Sequence, residues 1–321
     1  MHNDQYDFDD YGLSIDVALA LDTADEQLPT VQAVGDRLAK HVEEYTAPGF
    51  GTVTSAGSTA KAVALAGAVG ADPNAFGGTD LVAQLETTVT DSGPARGRIQ
   101  DVLDPKEAAA ADYANVVGQA YAVLGLTGVE SPEAGPAADF LVAQQCADGW
   151  FRLDFTKDVK AADQSCEGDR TSKPDLDTTA FAIRALRLSD SAQASRAVNS
   201  AVAWLSEQQA PDGSFDGGST ASTPNTNSTG LAGTALGEAG ETEAAERAAT
   251  WVFGRQALDC QKVEPAVVGA IAYDDAGAAA AVQNGIGVKT ADQFRRASAG
   301  ALPVLQWLPE RETADQNFES C

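Results

Sequence analysis

Histidine and methionine are nearly absent from the 321 residues: two His, at positions 2 and 41, and one Met. The four cysteines, Cys146, Cys166, Cys260 and Cys321, form no Cys-x-x-Cys pair and have no histidine beside them, which argues against a zinc centre. Aromatics are few, at 11 Phe, 4 Trp and 6 Tyr. Positive charge is scarce too: 21 Lys and Arg stand against 47 Asp and Glu, a net charge of −26. That balance repels a phosphate backbone and excludes nucleic acid as a partner. Apolar runs such as Ala120–Leu126 fall far short of the ~18 residues that span a bilayer, so no membrane span is expected. Met1–Asp10 has neither a basic nor an apolar region and is not an export signal.

What is present is a core-forming composition, 44% hydrophobic, and internal repetition. Ser55–Leu65, Asp175–Leu186 and Asn225–Leu236 each open on small capping residues, continue through Ser/Thr, and run into apolar residues at helical spacing. Asp10–Leu21 and Asn115–Leu124 are looser copies. Between them lie second helices of another kind. Gly135–Gln145 leads into Ala147-Asp-Gly-Trp150, and Ala201–Gln209 leads into Pro211-Asp-Gly-Ser-Phe215. A helix ending at Gln-Gln, an Asp-Gly turn with positive φ and an aromatic that plugs back onto the helix end account for the pattern. The Gln side chains can reach the backbone of the next hairpin and tie neighbours together.

Ala/Gly-rich first helices allow close approach, and the amphipathic second helices supply a polar outer face. The expected fold is therefore all-α, an (α/α)6 toroid of helical hairpins. One domain covers residues 1–310, and a tail, 311–321, is tied down by a cysteine. The sixth hairpin is expected to pair Val267–Tyr273 with Thr290–Leu305. Cys146 and Cys166 bracket a polar loop and are expected to pair, leaving Cys260 for Cys321. With the acidity, these disulfides point to a secreted or cell-envelope protein whose leader has been removed.

At the Gln-Gln-x-x-Asp-Gly-aromatic endings the chain resembles the prenyltransferase and squalene-oxidase repeat family, α/α toroids that include squalene–hopene cyclases, protein prenyltransferase β subunits and cobalamin carriers. Asp175-Leu-Asp-Thr-Thr179 is similar to the Asp-x-Asp box of class II terpene cyclases, whose middle Asp protonates a double bond or epoxide. The resemblance makes Asp177 the acid and Asp175 its partner, since a second carboxylate nearby disfavours ionisation of the first. A second reading is simpler: Asp177 sits where Gly57 and Asn227 sit in the other repeats, and caps its helix. The prenyltransferase branch implies a zinc site that the histidines cannot supply, and the cobalamin branch a β domain that does not follow. An α/α barrel can also carry glycan chemistry on paired carboxylates.

Polar residues near the starts of first helices are the candidate lining of a barrel mouth. They are Tyr11 and Asp16; Tyr113, Asn115, Gln119 and Tyr121; Asn225 and Asn227; and Tyr273, Asp274 and Asp275. The acids of the Asp163–Lys173 loop lack the spacing of an EF-hand, and no cofactor is expected. Scarce aromatics and room for one toroid weigh against a cation cascade. The favoured expectation is an exported, non-catalytic toroid that binds a small molecule or partner protein at its mouth. The alternative is a class II terpene cyclase-like enzyme with Asp177 as general acid.

Overall fold

The computed structural model describes residues 1–22, 24–49, 51–108, 110–218, 221–257 and 267–309. These are mostly helical. In chain order the helices are α1 (Tyr11–Leu21), α2 (Leu28–Ala39), α3 (Val42–Thr46), α4 (Ala56–Ala68), α5 (Leu81–Glu86), α6 (Val116–Gly128) and α7 (Ala134–Ala143). After them come α8 (Leu176–Leu186), α9 (Ala192–Glu207), α10 (Thr226–Glu238), α11 (Thr242–Phe253), α12 (Asp275–Asn284) and α13 (Val288–Ala301). Among the described residues the named strands form two antiparallel ribbons, with isolated bridges elsewhere. One is β1 (His2–Asn3) with β2 (Phe8–Asp9), and the other is β3 (Thr52–Thr54) with β4 (Val102–Leu103). The all-α hairpin expectation holds.

Contacts group the chain into two compact units, residues 24–204 and residues 1–23 with 205–321. In the first, α6 packs between α4 and α8. Glycine sets the closeness of that packing: a β-carbon on Gly118 would lie 3.2 Å from the Gly57 Cα. Alanines 56, 60, 62 and 66 of α4 are all fully buried. In the second unit α10 packs on α11 and α13, and α1 packs on α13.

Each repeated first helix starts the same way. Asp10, Ser55, Asn115, Asp175, Asn225 and Asp274 are N-caps, each accepting the backbone N–H three residues on. This recurrence corrects the sixth hairpin. Its first helix is Asp275–Asn284, capped by Asp274, whereas Ile271 lies in an antiparallel bridge with Gln256. The apolar run Val267–Tyr273 is a turn and bridge segment: Ala270 N donates to Val267 O and Ala272 N to Arg255 O, each at 3.0 Å.

The Asp-Gly turns have positive φ, 99° at Gly149 and 92° at Gly213. Gln145 Nε2 donates both to Gly149 O of its own turn and to Ala197 O of the following helix, at 2.8 Å each. Gln209 does the same to Gly213 O and Ala244 O, at 3.1 and 2.9 Å. Trp150, directly after the first turn, packs against Cys146 just past the end of its own helix and against Cys166, as expected, whereas the phenylalanines plug elsewhere. Phe151 and Phe215, both fully buried, lie at the start of the next first helix. Their N–H groups donate to Thr179 Oγ1 and Thr229 Oγ1, each at 2.9 Å. Cys146 and Cys166 form a disulfide, with Cα atoms 5.1 Å apart. Cys260 and Cys321 lie outside the described residues, as does the tail 311–321.

Candidate functional site

The start of α8 is fixed from three sides. Asp175 Oδ1 accepts from Thr178 N at 2.9 Å, and Asp175 N donates to Phe151 O at 3.3 Å. Thr179 Oγ1 donates to Asp175 O at 2.7 Å while accepting from Phe151 N. Asp175 is consequently 1% exposed and serves as the cap. Asp177 is not the cap. It stands two residues further on, in the first turn, and is half-buried.

The burial pattern of α8 repeats on its neighbours. Counting from the cap, the second and sixth residues are half-buried among buried ones: Gly57 and Lys61 on α4, Val117 and Tyr121 on α6, Asp177 and Phe181 on α8. The ninth continues the stripe with Ala64, Leu124 and Arg184. Residues at this spacing share one helix face. Two ring contacts join the stripes of the three helices. Tyr121 and Phe181 have centroids 5.4 Å apart, and Lys61 Nζ lies 5.8 Å from the Tyr121 centroid. Asp177 thus stands one turn from an aromatic pair.

The other candidates do different work. Asn115 caps α6 through Gly118 N at 3.0 Å, and Asn225 caps α10 through Ser228 N at 2.8 Å. Asp274 caps α12 through Gly277 N at 2.8 Å. Gln119 is fully buried. Its Oε1 accepts from Ile99 N at 2.9 Å and its Nε2 donates to Gly97 O and Ala137 O at 2.8 and 3.0 Å, so its amide groups tie backbone segments together. Tyr113 is 76% exposed. Asp275 pairs with Arg255 at 2.7 Å, and Tyr273 O accepts from Thr226 N at 2.9 Å. Asn227 packs against α13, where a β-carbon on Gly300 would collide with its amide. Tyr11 and Asp16 are half-buried on α1. Of these residues, the structure brings Asp177 and Tyr121 onto the one stripe described above.

Sequence reasoning passed over Lys61, Phe181 and Arg184, although their spacing from the caps would have found them. It also passed over a buried pair of arginines. Arg152, 1% exposed, donates from Nε and Nη2 to Gln144 Oε1 at 3.0 and 2.7 Å, and from Nη2 to Gln164 O at 2.8 Å. Arg98 pairs with Asp112 at 3.1 Å and lies over the Phe155 ring. Burial pulls the pKa of both guanidiniums down. Burial likewise raises that of Asp101, which accepts from Ala56 N and Tyr113 N at 2.8 and 2.9 Å. No group of metal-ligating side chains occurs among the described residues, and no described helix is long and apolar enough to cross a membrane.

No protein-family model and no curated protein matches the chain. Solved structures do. The type II terpene cyclase MstE from Scytonema superposes with a TM-score of 0.63 at 15% identity, over 95% of this chain and 91% of MstE. An MstE variant holding geranylgeranyl dihydroxybenzoate, its substrate, gives 0.57 at 17% identity, over 92% and 88%. An ent-copalyl diphosphate synthase from Streptomyces platensis gives 0.55 at 17% identity, over 91% of this chain but 50% of the synthase, so the chain spans half of that protein's length. The chain has the α/α-toroid fold of type II terpene cyclases.

These neighbours overturn the expectation of a non-catalytic binding protein. They are cyclases of this fold, with MstE variants among them holding substrate or product. The size objection falls with it, because MstE is covered over 91% of its length and needs no second toroid of that kind. The aromatic objection counted rings over the whole chain, whereas two of them, Tyr121 and Phe181, stand side by side on the stripe of Asp177.

Proposed function

We propose that the chain is a type II terpene cyclase-like enzyme in which Asp177 is the general acid, acting on a linear isoprenoid small molecule. The observation that carries this is the division of labour at the start of α8: Asp175 caps the helix, and Asp177 stands on the half-buried stripe one turn from Phe181 and Tyr121. The chemistry balances on these groups. The Asp177 O–H bond breaks as its proton adds to a terminal alkene, whose π electrons form the new C–H bond, or to an epoxide oxygen, where a new O–H bond forms as the ring C–O bond to the tertiary carbon breaks. The resulting tertiary cation is captured by internal double bonds, which form the ring C–C bonds. Loss of a proton ends the cascade, so alkene substrates are isomerised without a cofactor. The ring faces of Tyr121 and Phe181 stabilise positive charge as it develops.

The test is incubation with linear C15–C30 prenyl substrates and analysis for cyclic products. The wild type yields them, and Asp177→Asn lowers the rate by at least about 10³-fold with unchanged circular dichroism, a typical upper range for losing a general acid. Asp175→Asn controls for the fold, because Asn already caps α6 and α10. No product from any substrate, or full activity in Asp177→Asn, removes the reading.

A further inference from the structure

One junction occurs twice in the chain and is closed in two ways. After each Asp-Gly turn a phenylalanine pairs with the cap of the next first helix: Asp175 N donates to Phe151 O at 3.3 Å, and Asn225 N to Phe215 O at 3.2 Å. Nine residues, 216–224, separate the second pair, whereas 23 residues, 152–174, separate the first. Closing the longer loop costs more chain entropy, and the longer loop is the one stapled, by Cys146–Cys166.

The noncovalent fastening of that loop is incomplete. Arg152, 1% exposed, donates to Gln144 Oε1, Thr156 Oγ1 and Gln164 O, all neutral acceptors. Its Nη1 atom and Oε1 of Gln164, a residue 4% exposed, are buried with no hydrogen-bond partner among the described residues. A buried charge met by neutral groups, with a donor and an acceptor left over, works against keeping the loop seated. The disulfide, packed with Trp150 and Trp204, counters that tendency.

Phe151 links this loop to the start of α8. Its carbonyl accepts from Asp175 N and its N–H donates to Thr179 Oγ1, so it grips the helix at positions on either side of Asp177. We infer that the Cys146–Cys166 disulfide is a redox latch on this helix start. Oxidised, it keeps residues 152–174 seated and Asp177 in place; reduced, it lets the loop and the Phe151–Asp175 pairing open. The effect on catalysis rests on the reading of Asp177 as the acid, whereas the opening does not. In reduction by a dithiol the protein S–S bond breaks, each sulfur gains a hydrogen, and the dithiol closes to its own cyclic disulfide.

The test uses the whole chain under native conditions. After dithiothreitol, one portion is alkylated with iodoacetamide to count thiols, and backbone hydrogen exchange is followed in another at both junctions. Cys146 and Cys166 become alkylated, and exchange at the Phe151 and Asp175 amides rises about tenfold or more, up to on the order of 10²-fold for a loop of this length. The Phe215 and Asn225 amides, which have no disulfide to lose, exchange as before, and this separates local opening from global unfolding. Cyclic product formation falls with reduction. It returns when oxidised glutathione re-forms the protein disulfide, giving up its own S–S bond and leaving as two thiols. Protein carrying both Cys146→Ser and Cys166→Ser exchanges like the reduced form and does not respond to dithiothreitol. Thiols that stay closed to reduction in the native protein, unchanged exchange at Phe151, or an equal rise at both junctions overturns the latch. Equal product formation in both redox states overturns its control of the reaction and leaves the cyclase reading standing. Local opening on reduction, with no cyclic product in either state, supports the latch and removes the cyclase reading.

Discussion

Asp175 and Asp177 stand two residues apart on one helix and do different work, because a helix start asks for one acceptor at one place. The N-cap geometry needs a side chain that reaches the N–H three residues on, and Asp175 does so at 2.9 Å. The recurring small polar residues made the cap legible in the sequence. Which residue of Asp-Leu-Asp-Thr-Thr supplied it was not legible, because both acids satisfy the same chemical pattern. The structure moves the cap from the middle acid to the first, and so places Asp177 with Phe181. Asp212 offers a titratable case of the same local logic. Its carboxylate accepts from Ser214 Oγ at 2.7 Å, Ser214 N at 3.1 Å and Trp251 Nε1 at 3.2 Å. The Ser214 hydroxyl, chiefly, holds its pKa below the ordinary carboxylate value. A pKa depressed on folding contributes stability above the unfolded value near 4, and that contribution is lost as pH falls through the folded value. Asp212→Asn therefore costs about 1 kcal/mol at pH 7, after allowing for solvent screening at this exposed turn, and progressively less as pH falls through the depressed folded value. Urea unfolding of both proteins across that range checks it, and a difference independent of pH would remove the assignment.

The element that recurs is the turn joining a second helix to the next first helix, and it is closed by backbone. At Gly149 a β-carbon would lie 2.6 Å from Ser200 O, and at Gly213 2.5 Å from Arg247 O. The turn therefore needs glycine twice over, for its positive φ and for the approach of the neighbouring helix. Gly240 shares the first requirement only, with φ at 98° and nothing within 4 Å of its missing β-carbon. Gly149→Ala is expected to cost about 3–5 kcal/mol, from backbone strain and collision together. Gly240→Ala should cost about 1 kcal/mol, from strain alone. Denaturant midpoints of the two variants measure the difference, and equal losses would show that the contact with Ser200 contributes nothing. The Asp-Gly turn and its Gln were readable from sequence because they repeat. The destination of Phe151 and Phe215 was not, since the hydrogen bonds to Thr179 and Thr229 join residues 28 and 14 positions apart, beyond any local pattern.

At the scale of the whole chain, periodic caps made the hairpin class legible, and they failed where a long apolar run, Val267–Tyr273, imitated a helix without one. Function was less legible because aromatic content is a property of the composition, while a stripe is a property of register between helices. Charge is the one whole-chain quantity that composition determines completely. A net charge of −26 makes the compact state repel itself, and mobile ions screen that repulsion over a Debye length that shrinks from ~30 Å at 0.01 M salt to ~3 Å at 1 M. Ion pairs such as Arg295–Asp4 and Arg296–Asp292 lie at the surface, where each contributes little, so salt removes little attraction there while it removes much repulsion. The melting temperature should therefore rise by several degrees as sodium chloride goes from about 20 mM to about 500 mM. Most of the rise should come below about 200 mM, where the screening length changes fastest. Scanning calorimetry at fixed pH decides it. A flat or falling melting temperature would mean that the acidic residues are compensated within the fold and that the net charge is no measure of its internal repulsion.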